Sequence, residues 1–98
     1  MAKNLNSVKL VISQNLNDLK DKYNISQIGI FGSVARGESD QASDIDLLVE
    51  FSKPISFFKF VDLEDRLSQV TGEKVDLVTK NALKPPIKDE ILKQTIYV

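Results

Sequence analysis

The sequence predicts an α/β fold: a small mixed sheet with helices on its apolar face, forming one domain over residues 1–98. Three observations lead there. Apolar residues recur at three- and four-residue steps in two long stretches, the mark of amphipathic helices. Three short apolar runs, two of them clearly alternating, read as strands. The second and third of these runs are joined by a long helical stretch, which favours parallel pairing through a crossover.

The elements follow in order. Val8, Val11, Ile12, Leu16, Leu19 and Tyr23 lie on one face of a helix from about Asn6 to Lys22, with Asn24 as its stop. Gln27 to Phe31 is strand one. Ser33 to Arg36 forms a short helix and Gly37 to Ser43 a polar loop. Strand two opens with two carboxylates: Asp44, Asp46, Leu48 and Glu50 face one way, Ile45, Leu47, Val49 and Phe51 the other. Pro54 ends it. Phe57, Phe58, Val61, Leu67 and Val70 mark a helix from Ser56 to Thr71, with Asp62 and Arg66 as an i,i+4 pair and Gly72 as the stop. Lys74 to Thr79 is strand three, with Asp76 and Val78 on one face. Asn81 to Pro86 turns the chain into a last helix whose buried side is Ile87, Ile91 and Leu92, with Pro86 at its start.

Composition removes whole classes of chemistry. The chain has no cysteine and no histidine, so disulfides, N/S-ligated zinc, a thiol nucleophile and an imidazole base are all absent. A formal charge of -1 gives no overall pull toward nucleic acid, so phosphate binding must be local. No apolar run approaches the ~20 residues of a membrane span, and the start lacks a signal-peptide core. A cytoplasmic protein is expected.

The chemistry concentrates between Gly32 and Glu50. Asp44 and Asp46 are two apart on a strand and project together, and Asp76 falls on the same face of the neighbouring strand. Three carboxylates so placed repel unless cations sit among them. Mg²⁺ is the natural occupant because it combines a few carboxylates with substrate phosphates, and two ions could bridge this set. Gly32 and Ser33, at a turn into a helix, offer backbone N–H groups and a hydroxyl to terminal phosphates. Arg36 adds a guanidinium. Taken singly, each has an ordinary reading: a solvated carboxylate, a tight turn, a helix cap or a surface cation. Glu50 reads as solvated, and Lys84 and Lys88 as a solvated face within reach of phosphate.

The combination GSVARGE…SDIDLLVEF, followed by the strand-three aspartate, resembles the polymerase-β-like nucleotidyltransferase superfamily. More narrowly it resembles the minimal nucleotidyltransferases that accompany HEPN-domain proteins in toxin–antitoxin pairs, over nearly the whole chain to the PPIKDEILKQTIYV tail. The resemblance implies that Asp44, Asp46 and Asp76 are catalytic metal ligands and that Gly32 and Ser33 bind nucleotide phosphates. Arg36 and Ser43 match further nucleotide-binding motif positions. It implies Mg²⁺-dependent transfer of AMP from ATP to a hydroxyl, tyrosine above others, of a HEPN-type toxin, the pair forming a hetero-oligomer; with no histidine in the chain, Asp76 is the candidate to help deprotonate that hydroxyl. Two alternatives stand beside it: a small-molecule, aminoglycoside-type acceptor, which would require a second subunit to complete the pocket, and an antitoxin that acts by contact alone. Template-directed DNA synthesis is disfavoured by size and charge.

Overall fold

A computed structural model of the protein describes residues 4–40 and 43–98. The chain runs α1 (Leu5–Tyr23), β1 (Ile25–Phe31), α2 (Gly32–Arg36), β2 (Ile45–Phe51), α3 (Phe57–Thr71), β3 (Val75–Thr79), α4 (Pro85–Gln94) and β4 (Ile96–Tyr97), with a 3₁₀ turn at Lys80–Ala82 before α4. The strands form one sheet in the order β3-β2-β1-β4. β1 pairs antiparallel with both β2 and β4, and β2 pairs parallel with β3, so the sheet is mixed as expected.

Local chemistry sets the helix ends. The Asn4 side chain accepts from Ser7 N–H at 2.8 Å and starts α1, which stops where Asn24 takes a left-handed φ of 56°. Asparagine tolerates that region better than most side chains. Ser56 caps α3 by accepting from Lys59 N–H at 3.1 Å, and Gly72 ends it in the left-handed conformation.

Packing then follows the apolar periodicity. Val8, Ile12, Leu19 and Tyr23 of α1 and Leu63 and Leu67 of α3 are buried with Ile28, Ile30, Ile45, Leu47, Val49, Val75 and Leu77 of the sheet in one cluster. Burial of each large side chain contributes about 1.5–3 kcal/mol. Val34 of α2 is 1% exposed and belongs to the same cluster, which anchors that short helix at the end of the sheet. Tyr23 Oη donates to Asp62 Oδ2 at 2.6 Å and ties α1 to α3.

Four expectations change. Asp62 is committed to Tyr23 rather than held as a simple pair with Arg66. Asp44 precedes β2 instead of opening it, because the strand begins at Ile45. Ile87 is 50% exposed, and no residue of α4 is fully buried; Ile91 and Leu92 are half-buried. Two prolines start α4, and it meets the body of the protein chiefly through α2 and β1, so its first turn overhangs. Finally, Ile96–Tyr97 adds a fourth strand. Its close approach is why position 29 is glycine: a Cβ there would meet Thr95 Cγ2 at 2.5 Å. Of the predicted polar loop, Gln41 and Ala42 lie outside the described residues.

Candidate active site

The register places the carboxylates. Asp46 sits opposite Asp76 on the parallel pair β2–β3 and opposite Phe31 on the antiparallel pair β1–β2. Phe31 leads directly into Gly32, so the β1–α2 turn and the two aspartates meet at one end of the sheet. The approach is tight. Gly32 has φ +73°, and a Cβ there would run into Asp46 Oδ2. Glycine is thus required twice over, by backbone conformation and by the carboxylate that fills the space.

Electrostatics agree with this crowding. Partial burial, then the charges of Asp76 and Asp44, push the Asp46 carboxyl above its ordinary value, and Arg36 pulls the other way. The shift reports a half-buried carboxylate with like charges around it and one guanidinium in range. Asp44 is additionally 3.9 Å from Lys74 Nζ, a solvent-exposed pair. Among the described residues, no three carboxylates stand close enough to hold a metal ion as the side chains are placed. The donor set nevertheless fits a hard divalent cation. It is all oxygen, and the Asp46 charge is held against the repulsion that such a cation would relieve.

The phosphate-binding candidates divide. The Ser33 hydroxyl has no hydrogen-bond partner among the described residues. Gly32 N–H already donates to Gln94 Oε1 at 3.1 Å, and Arg36 Nη1 donates to the same oxygen at 3.0 Å. Arg36 Nε also donates to Glu38 Oε1 at 3.0 Å. Ser43 is drawn elsewhere: its hydroxyl donates to Asp40 Oδ1 and accepts from Asp40 N–H, both at 3.2 Å. Glu50, expected to be solvated, pairs with Lys80 at 3.7 Å. Together with Lys53, Asn81 and Phe51 it lines a cleft of ≈ 380 Å³ at the far end of β2 and β3 from the aspartates. Gln94 and Lys74 are the site residues that the sequence did not disclose. Lys74, two residues before Asp76, could have been read from register; nothing in the chain's pattern marks Gln94.

The arrangement thus offers backbone and guanidinium donors on one side of a carboxylate group, which suits an anionic polyphosphate held beside cations. Comparisons with known proteins bear on that chemistry. A family model described as a nucleotidyltransferase domain matches residues 12–98. Protein adenylyltransferase MntA of Thermococcus cleftensis is 36% identical over 94 residues, 96% of this chain and 95% of that protein. A solved structure described as a minimal nucleotidyltransferase superposes with a TM-score of 0.75 at 28% identity, over 91% of this chain and 93% of the other. A Shewanella oneidensis complex, a tri-AMPylated HEPN toxin with MNT antitoxin, gives a TM-score of 0.66 at 20% identity over 92% of this chain and 70% of that chain, a likeness of fold. With the Gly32 turn, the Asp46–Asp76 register and a family match over most of its length, this chain belongs to the nucleotidyltransferase domain family and is a nucleotidyltransferase.

Proposed function

We propose that this protein transfers AMP from ATP, with Mg²⁺, to a side-chain hydroxyl of a HEPN-type toxin partner and thereby acts as its antitoxin. The observation that supports this most directly is Asp46, set beside Asp76 in register and pressed against the Gly32 turn. The relatives add the acceptor class: one is named a protein adenylyltransferase, and one structural neighbour is the antitoxin of an AMPylated HEPN toxin. Tyrosine is the acceptor we favour, and cytoplasmic action follows from this reading.

In this mechanism the residues divide the work. Asp44, Asp46 and Asp76 would hold the cations, which neutralise charge on the reacting phosphates. Gly32 N–H and the Ser33 hydroxyl orient phosphate oxygens, and Arg36 balances their charge. The acceptor oxygen forms a bond to the α-phosphorus as the bond to pyrophosphate breaks. Asp76 is the candidate to take the acceptor's proton, in a chain with no histidine to do so. AMP on the partner adds bulk and negative charge, which would repel an RNA backbone from a ribonuclease site.

Intact-mass analysis of the partner after co-expression tests this. Additions of about 329 Da each, the mass of one AMP unit transferred with loss of pyrophosphate, are expected with the wild type and absent with Asp46→Asn. A partner neutralised but unmodified would replace transfer with inhibition by contact.

A further inference from the structure

Gln94 is the last residue of α4, and its side-chain oxygen occupies two donors that the nucleotide reading gives to phosphate. One atom, Oε1, accepts from Gly32 N–H at 3.1 Å and from Arg36 Nη1 at 3.0 Å. The amide nitrogen lies toward its own helix, 3.5 Å from the Glu90 carbonyl. A carboxamide oxygen carries partial negative charge, so it satisfies a backbone N–H and a guanidinium as a phosphoryl oxygen would, but less strongly.

We propose that Gln94 is a built-in competitor for the nucleotide's phosphates: in the nucleotide-free protein it holds Gly32 N–H and Arg36, and a phosphate oxygen must displace it. This rests on the nucleotide reading of the Gly32 turn. Two features of the contact support it. A single oxygen serves both donors at once, the position a bound phosphate oxygen would take between them. The contact also spans 62 residues of sequence, so it is tertiary and not part of the turn's own hydrogen bonding. Glu38 retains Arg36 through Nε, so releasing Gln94 leaves the guanidinium oriented. Affinity for nucleotide is then reduced by the fraction of time that Gln94 is in place.

The alternative is that Gln94 merely supports the turn, and the two roles predict opposite signs. Calorimetric binding of a non-hydrolysable ATP analogue with Mg²⁺ should be compared for wild type, Gln94→Ala and Gln94→Glu. Gln94→Ala should bind about three- to tenfold more tightly, the range for removing one or two competing hydrogen bonds. Gln94→Glu should bind at least about tenfold more weakly, since its carboxylate pairs with Arg36 and repels phosphate. In the wild type, the Gln94 side-chain amide resonances should shift on adding the analogue. Unchanged or weaker binding by Gln94→Ala overturns the proposal, as does binding by Gln94→Glu as tight as wild type, which decides the matter should the alanine variant fail to fold. If neither wild type nor variants bind the analogue, the nucleotide reading itself has failed and the competitor role falls with it.

Discussion

At the scale of single residues, Asp46 holds the most information. Its carboxyl is pushed up by burial and by two neighbouring carboxylates, so the folded state disfavours its charge. The sign follows from linkage. With the folded value above the unfolded one, the metal-free protein loses stability as pH rises from the ordinary aspartate range through the raised value. Asp46→Asn should remove that dependence and raise the metal-free Tm slightly, by no more than a few degrees, since solvent screens a carboxyl that is only partly buried. The same variant should lower transfer by on the order of a thousandfold, as expected for loss of a preorganised charge-stabilising group. Parallel melts across pH 4–8 and an AMP-transfer assay separate the two effects. Gly32→Ala should be harmful in both respects, costing about 1–3 kcal/mol from its positive φ and its Cβ against Asp46. A Gly32→Ala protein with normal stability and activity would remove Gly32 from the site. The aspartates were legible because a strand's two-residue period puts Asp46 and Glu50 opposite a core-facing Leu47. Asp76 followed from the crossover. Gln94 was not, because no periodicity or motif records a hydrogen bond between residues 62 apart.

At the scale of elements, α1 and α3 are joined by more than apolar contact. Tyr23 is 1% exposed, and its hydroxyl donates to Asp62 at 2.6 Å. Burial, then that hydrogen bond and the Asp62 charge, push the phenol up to about 12. Stability from this group is fully present below pH 10 and is lost as pH rises through 12. Tyr23→Phe should therefore cost about 1 kcal/mol near neutrality and flatten the alkaline limb of the stability curve; denaturant melts at pH 8 and pH 11 would check both. The long helices and the three longer strands could be read from sequence because each repeats its pattern over several residues. The face read for the last helix holds at Ile91 and Leu92, which are half-buried, but not at Ile87, which follows the apolar spacing yet stands 50% exposed in the first turn. β4 has only two residues, too few to show a period.

At the scale of the whole molecule, the site is assembled where β1 runs into α2 beside β2 and β3, with Gln94 of α4 reaching it from one side. Nucleotide binding should then depend on divalent metal: titration of ATP should show affinity falling at least about tenfold when Mg²⁺ is chelated, because the carboxylate repulsion returns. Tight binding without metal would remove the cations from the mechanism. The sheet's fourth strand has a different consequence. β1 runs from Ile25 to Phe31, yet β4 pairs only with Gly29 and Ile30, with Val98 N–H adding one bond to the Ile28 carbonyl. Two ladder pairs against six between β1 and β2 make β4 the least secured strand of the sheet, so its amide hydrogens should exchange with solvent well before those of β1 and β2.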